Sequence, residues 1–159
     1  MRALAHGPIA MLVALSVVGC GHRFEVSTPT DFVQLEEDAQ QRRGYAMRAT
    51  TADGVVIAVR EIENDRHGSA DFWVAAVRNR LRRAGGYALL EEAEVRAASG
   101  QAGHQMRFGR DEGGRPYAYW LTLFVTHDRI FVIEAGGRRE LMEAQVSELE
   151  TSLATFRIR

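Results

Sequence analysis

The segment Tyr117-Ala118-Tyr119-Trp120-Leu121-Thr122-Leu123-Phe124-Val125-Thr126, followed by His127-Asp128 and Arg129-Ile130-Phe131-Val132-Ile133-Glu134-Ala135, contains the strongest strand pattern in the chain. Its large side chains alternate, as they do along a β-strand. Each of the two runs is apolar on both of its sides. Because a strand with two apolar faces must be covered on both, we predict two central strands of a sheet that is covered on each side by a helix or loop.

Weaker strand patterns surround this pair. Residues 45–51 and 55–63 alternate around Asp53-Gly54, a dipeptide that tolerates the positive φ of a hairpin turn. Further strands are predicted at 87–97 and 104–110, with short ones at 32–35 and 156–158. The predicted fold class is α+β, an antiparallel sheet of about six or seven strands with two main helices packed on it.

Two segments have the 3.6-residue periodicity of amphipathic helices. The first is predicted to begin after Ser69, a suitable N-cap, and to end near Ala84, before Gly85-Gly86. The second is predicted from Arg138 to about Ala154, with Gly136-Gly137 as the strand-to-helix turn before it. These two glycines and the arginines that follow could alternatively cradle an anion at the helix N-terminus.

The N-terminal residues have the layout of a secretory signal. An uncharged apolar run, Ile9 to Cys20, follows Arg2 and ends at the single cysteine. Val17-Val18-Gly19-Cys20 resembles the bacterial lipobox, in which the cysteine is acylated and becomes the first residue of the mature chain. The alternatives are an ordinary signal peptide or a buried apolar helix. We therefore expect a lipoprotein signal peptide over residues 1–19, a lipidated N-terminus and tether over 20–30, and a single α+β domain over 31–159.

Lipidation of Cys20 would determine where the protein lies. The resemblance to lipoproteins implies a cell-envelope location, with the domain facing the periplasm and membrane lipid as a partner through the acylated cysteine. Gly21 stands where an aspartate often marks retention in the inner membrane. This favours the outer membrane over the inner one.

The charge of the chain bounds its partners. The 20 basic and 21 acidic residues leave a formal net charge of −1, which offers no basis for binding nucleic acid. Acylation would consume the only thiol, so no disulfide is expected. The domain must then be stabilised by its hydrophobic core.

The order of elements resembles the PsbP-like fold shared with DcrB-type bacterial lipoproteins. The resemblance rests on Ile130-Phe131-Val132-Ile133-Glu134-Ala135-Gly136-Gly137, the helix after it, and Ser152-Leu153-Ala154-Thr155-Phe156-Arg157. It implies an assembly factor, adaptor or chaperone, and it brings no catalytic motif, metal motif or cofactor. Fold analogy does not choose among these roles.

Four residues are candidates for contact with a ligand or partner. Trp73 and Trp120 are large enough to line a pocket, although core packing is the usual role of such aromatics. Arg80 and Arg83 belong to an arginine-rich end of the first helix, together with Arg78 and Arg82. They could contact lipid phosphates or an acidic partner, or they could form a solvated face.

Residues for catalysis or metal binding are sparse. Asp65, His67 and Asp71 could approach one another, but their spacing matches no metal motif, and a polar loop with a helix cap explains them. His127 is expected in a turn. Glu91 and Glu92 should point to opposite faces of a strand and so cannot act on one substrate. We predict neither a metal site nor an enzyme.

The sequence therefore favours a membrane-anchored periplasmic lipoprotein that acts as a non-enzymatic binding or assembly module, with an envelope protein as partner. The alternative is a carrier or sensor of a small apolar, lipid-like ligand, with Trp73 or Trp120 in its cavity. A deep pocket lined by convergent polar side chains would argue against the first hypothesis.

Overall fold

The computed structural model describes residues 21–36 and 44–159. The predicted signal peptide and the lipidation site Cys20 lie outside the described residues. In the described part, seven antiparallel strands form one sheet in the order β2-β3-β4-β8-β7-β6-β5. Their bounds are β2 Val33–Gln34, β3 Met47–Thr50, β4 Val56–Glu63, β5 Ala88–Arg96, β6 Ala102–Asp111, β7 Pro116–Val125 and β8 Arg129–Arg138. The α+β fold class and the strand number are confirmed.

The two strongest predicted strands lie inside the sheet. Strand β8 is the central strand, with three strands on each side of it. Strand β7 pairs with it from Tyr117 opposite Arg138 to Val125 opposite Ile130. Phe131 and Ile133 enter one hydrophobic cluster, while Ile130 and Val132 enter a second. The alternating pattern in the sequence thus correctly indicated a sheet with a core on each face.

Helix α1, Ala70–Ala84, covers one face of the sheet. The helix begins where the sequence predicted. The Ser69 hydroxyl accepts a hydrogen bond from the Phe72 amide, one of the first-turn N–H groups that has no partner within the helix. Gly86, with a φ of +66°, then turns the chain into β5. The buried Val74 of the helix belongs to one hydrophobic cluster with the fully buried Met106 and Phe108 of β6.

The other face is covered by the C-terminal segment. Helices α2, Arg139–Ala144, and α3, Val146–Thr155, are followed by β9, Arg157–Ile158. Strand β9 pairs with β1, Phe24–Glu25, as a separate two-stranded sheet. Phe156 lies at the centre of this core, with its ring packed against those of Phe24, Phe124 and Phe131.

The prediction for Gly136-Gly137 is wrong. Both glycines lie in β8, paired with Val56 and Ala118, so they form neither a strand-to-helix turn nor an anion cradle. A Cβ on Gly136 would lie 3.3 Å from the Tyr119 ring, and one on Gly137 would lie 3.3 Å from the Val55 backbone. The glycines thus permit close approach of neighbouring strands. The predicted single helix is also divided in two, at Gln145.

The N-terminal segment differs from the expected tether over residues 20–30. From Phe24 onward the chain contacts the domain: Phe24 is buried, and the Ser152 hydroxyl donates to the Ser27 carbonyl. The Ser27 amide in turn donates to Thr155 Oγ1 at 2.9 Å. The chain therefore joins the domain a few residues after Cys20 because its phenylalanine fills the C-terminal core.

Among the described residues, no helix combines the length and apolar character needed to cross a membrane.

Candidate functional site

The sheet has two ends that carry different surfaces. In the β4–β8 pair, Glu63 lies opposite Arg129 at one end and Val56 lies opposite Gly136 at the other. The N-terminal segment joins the first of these, where the Arg23 amide donates to Glu61 Oε2 at 3.2 Å. We call this the entry end and the opposite one the distal end.

The lipobox-like Cys20 is close in sequence to the first strand of the described domain. It precedes Phe24 by four residues, and four extended residues span at most about 14 Å. Phe24 is itself held by pairing with Ile158.

An arginine-lined groove lies at the distal end. Helix α1 starts beside the entry end and runs 15 residues, about 22 Å, before β5 begins. The groove is open, has a volume of about 660 Å³, and lies where that helix meets β5. Its lining residues are Asn79, Arg82, Arg83, Tyr87, Ala88 and Leu89.

The predicted arginines are used differently. Arg78 forms an ion pair with Glu92 at 3.0 Å, whereas Arg80 is exposed and lies outside the groove lining. Within the described part of the chain, Arg82 and Arg83 make no ion pair, and both side chains are exposed. Two unneutralised guanidinium groups beside a tyrosine can bind carboxylates or phosphates in bidentate geometry.

The two tryptophans do not line a common cavity, because they lie on opposite faces of the sheet. Trp73 lies on α1 and packs against the core of that face, and its indole N–H donates to Asn64 Oδ1 at 3.1 Å. Trp120 lies on the other face under Arg107, whose guanidinium is 3.9 Å from its ring centre. Both side chains are therefore occupied by contacts within the domain.

The cavity beside Trp120 is small. It holds about 20 Å³ and is lined mainly by apolar side chains, Leu149 and Leu153 among them. Pockets for small ligands commonly measure about 300–1,000 Å³. A lipid-like molecule would need this core to open.

The predicted separation of the paired glutamates is confirmed. Glu92 reaches Arg78 on the α1 side, whereas Glu91 lies 3.7 Å from Arg107, which covers Trp120 on the other side. The two carboxylates thus serve two different ion pairs and do not converge.

A half-buried polar group lies on the α1 face of the sheet. The Tyr119 hydroxyl donates to Glu134 Oε1 at 2.9 Å, and Arg60 contacts the other oxygen of this carboxylate at 3.3 Å. Burial, reinforced by the charge of Glu134, raises the pKa of Tyr119 above its usual range. The phenol remains a donor throughout the physiological pH range, so it links β7 to the Glu134 carboxylate of β8.

At the entry end, two histidines meet that are 60 residues apart in the chain. The His67 and His127 rings are stacked with centres 3.9 Å apart, and Asp128 Oδ1 lies 2.7 Å from His127 Nδ1. That hydrogen bond is the main reason why the pKa of Asp128 is lowered. The sequence placed His67 with Asp65 and Asp71, whereas the structure places it with His127 and Asp128.

Asn64 holds this region in place, a role that no pattern in the sequence predicts. It is almost fully buried, and its side-chain amide donates to the Gly68 and Thr126 carbonyls, at 3.0 Å each. Its Oδ1 accepts from the Gly68 amide and from Trp73. One side chain thus satisfies polar groups on two loops and on α1.

Comparison with known proteins shows the fold. No protein-family model matches the chain, and no curated protein matches its sequence. Among solved structures, it is similar to LpqN, described as involved in cell envelope biogenesis of Mycobacterium tuberculosis, with 11% identity and a TM-score of 0.67. That match covers 85% of this chain and 82% of LpqN.

Two further solved structures share the architecture. Cyanobacterial PsbP (CyanoP) from Synechocystis sp. PCC 6803 matches with 13% identity and a TM-score of 0.56, covering 93% of this chain and 99% of CyanoP. The Saccharomyces cerevisiae Ran-binding protein Mog1p matches with 14% identity and a TM-score of 0.54, covering 86% and 90%. The PsbP-like fold is confirmed.

Proposed function

We propose that this protein is an envelope lipoprotein, anchored through acylated Cys20 in the outer membrane, that acts as a non-enzymatic binding module. The supporting observation is the placement of its two ends. The described chain enters at one end of the sheet, where Phe24 follows the lipobox-like cysteine by four positions in the sequence, while the arginine-lined groove lies at the other end. An anchored domain of this shape presents the groove away from its own membrane.

The similar structures support a binding role in the envelope. LpqN is described as involved in envelope biogenesis, and Mog1p as a Ran-binding protein. Neither description names an enzyme, and in the described part of this chain we find no nucleophile–base pair at a pocket. A binding or assembly role agrees both with these observations and with the lipobox-like motif.

The groove favours an acidic segment of an envelope protein as the partner. Arg82 and Arg83 are positioned for carboxylates, and Tyr87 and Leu89 add an apolar side. The phosphates of the anchoring membrane would face the entry end, about the length of α1 away. A lipid contact at the groove is therefore less compatible with the anchor than a protein contact.

Carriage of a lipid-like ligand is disfavoured by the cavity beside Trp120. Its volume of about 20 Å³ accommodates roughly one water molecule. Arg107, bound to Glu150 at 2.7 Å, also covers the Trp120 ring.

Charge reversal in the groove tests the binding role. With a photocrosslinking residue at Asn79, ultraviolet irradiation of host membranes should yield a discrete protein adduct. Arg82→Glu combined with Arg83→Glu should reduce that adduct at least about tenfold, because two charge-assisted contacts become repulsive. Denaturing gels and mass spectrometry of the adduct measure the effect.

Arg66→Glu is the matched control, since Arg66 is an exposed arginine in the loop at the entry end. It should leave the adduct unchanged. Adducts that consist only of phospholipid, or a protein adduct indifferent to reversal at the groove, would contradict an acidic protein partner.

A further inference from the structure

We propose that His67, His127 and Asp128 bind a divalent transition-metal ion at the entry end of the sheet. One ligand atom from each residue lies within 4.8 Å of the others, and all three side chains are exposed. The site is independent of the anchoring and of the groove. It adds a metal-dependent property that neither the binding role nor the fold requires.

The hydrogen bond of His67 leaves one ring nitrogen ready for a metal. Its Nδ1 lies 2.9 Å from the His127 carbonyl oxygen, which can only accept a hydrogen bond. Nδ1 therefore carries the proton, and in the neutral ring Nε2 carries the free lone pair. Metal-ligating histidines commonly donate their second ring N–H to a backbone carbonyl in this way.

His127 and Asp128 supply the other two ligands. Their Nδ1 and Oδ1 atoms are 2.7 Å apart, and a cation would take the place of the proton between them. Zinc–nitrogen and zinc–oxygen bonds of about 2.0–2.2 Å at a tetrahedral angle separate such atoms by about 3.4 Å. Both side chains are about 70% exposed, so the small opening moves only surface groups and alters only the stacking of the His127 ring on that of His67.

The backbone beneath the site is already fixed. The Asn64 amide donates to the Asp128 carbonyl at 2.9 Å, and the His67 amide donates to the Asn64 carbonyl at 2.8 Å. The Asn64 side chain adds bonds to Gly68 and Thr126. Two loops that are distant in sequence are thus locked together, so binding would order only three side chains.

The ligand set determines the class of ion. Two imidazoles and one carboxylate suit Zn²⁺, Ni²⁺ or Cu²⁺ better than Mg²⁺ or Ca²⁺, which prefer oxygen ligands. An adjoining open hollow of about 220 Å³, lined in part by Glu63 and Asp65, leaves room for water at the remaining coordination position. Three protein ligands and one open position describe an exchangeable site rather than a closed structural one.

Calorimetric titration of the purified full-length chain with ZnCl₂ tests the site. We expect one Zn²⁺ bound per chain. His127→Ala and His67→Asn should each weaken binding at least about 10- to 100-fold, since even outer-shell substitutions at metal sites have effects of that size. Asparagine is chosen at position 67 because the backbone there has a φ of +49°, which asparagine tolerates.

His104→Ala is the matched control, because His104 lies in β6 and outside the cluster. It should bind Zn²⁺ as the wild type does, and circular dichroism should show all variants folded. The proposal is overturned if the wild type binds no Zn²⁺, if both cluster variants keep full affinity, or if His104→Ala weakens binding as much as they do.

Discussion

Replacing Phe156 by alanine should lower the free energy of unfolding by about 3–5 kcal/mol, the range for large aromatic deletions in a packed core. Phe156 is fully buried, and its ring centre lies 5.0 Å from that of Phe124 and 5.7 Å from that of Phe24. Its removal leaves a cavity where the C-terminal segment, β1 and the sheet meet. Urea denaturation followed by tryptophan fluorescence measures the change.

Phe72→Ala is the matched control for this experiment. Phe72 is 59% exposed on α1 and touches Trp73 edge-on. Its removal should change stability by less than about 1 kcal/mol. Equal effects of the two substitutions would show that Phe156 does not hold the C-terminal core.

Asn64→Ala should destabilise the domain by about 2–4 kcal/mol. The substitution leaves the Trp73 indole N–H and the Gly68 amide without their acceptor and removes the donor to two carbonyls. A buried polar group left unpaired costs about 1–3 kcal/mol, and relaxation of the loop recovers part of the sum. Urea denaturation gives the change, and hydrogen exchange should show faster opening of residues 64–68.

Asn79→Ala is its control, since Asn79 is exposed on α1. This variant should stay within about 0.5 kcal/mol of the wild type. If Asn64→Ala were equally mild, the two loops would have to be held by contacts other than its side chain.

The sheet could be predicted from the sequence because its signals are local. The alternation at 117–135 requires two covered faces, and Asp53-Gly54 identifies the hairpin between β3 and β4. Ser69 likewise signals the start of α1 through its own hydroxyl. In each case the residues that produce the feature lie within a few positions of it.

The features that could not be predicted depend on contacts between distant residues. From the sequence, Phe24 is predicted to be part of a tether, because its strand partner Ile158 lies 134 residues further along the chain. Gly136-Gly137 has the composition of a turn, and only the neighbouring Tyr119 and Val55 show why side chains are excluded there. The sequence likewise gives no indication that His67 and His127 are neighbours, because they meet only where the β7–β8 turn contacts the loop before α1.

The architecture also explains why the four candidate contact residues do not form one site. Arg83 lies in the distal groove, whereas Arg80 points elsewhere on the same helix. Trp73 and Trp120 are divided by the sheet itself. The groove that we propose as the partner surface is formed by the end of α1 and the start of β5, which no single stretch of sequence reveals.

Mass spectrometry of the native protein extracted from host membranes tests the central proposal, that Cys20 anchors the domain. We predict a mature chain that begins at Cys20 and carries a diacylglycerol adduct on that residue. A Cys20→Ala variant should lack the adduct and lose its membrane attachment, since the acyl chains supply the anchoring energy. A native chain that retains residues 1–19, or one cleaved there without lipid on Cys20, would contradict the proposal.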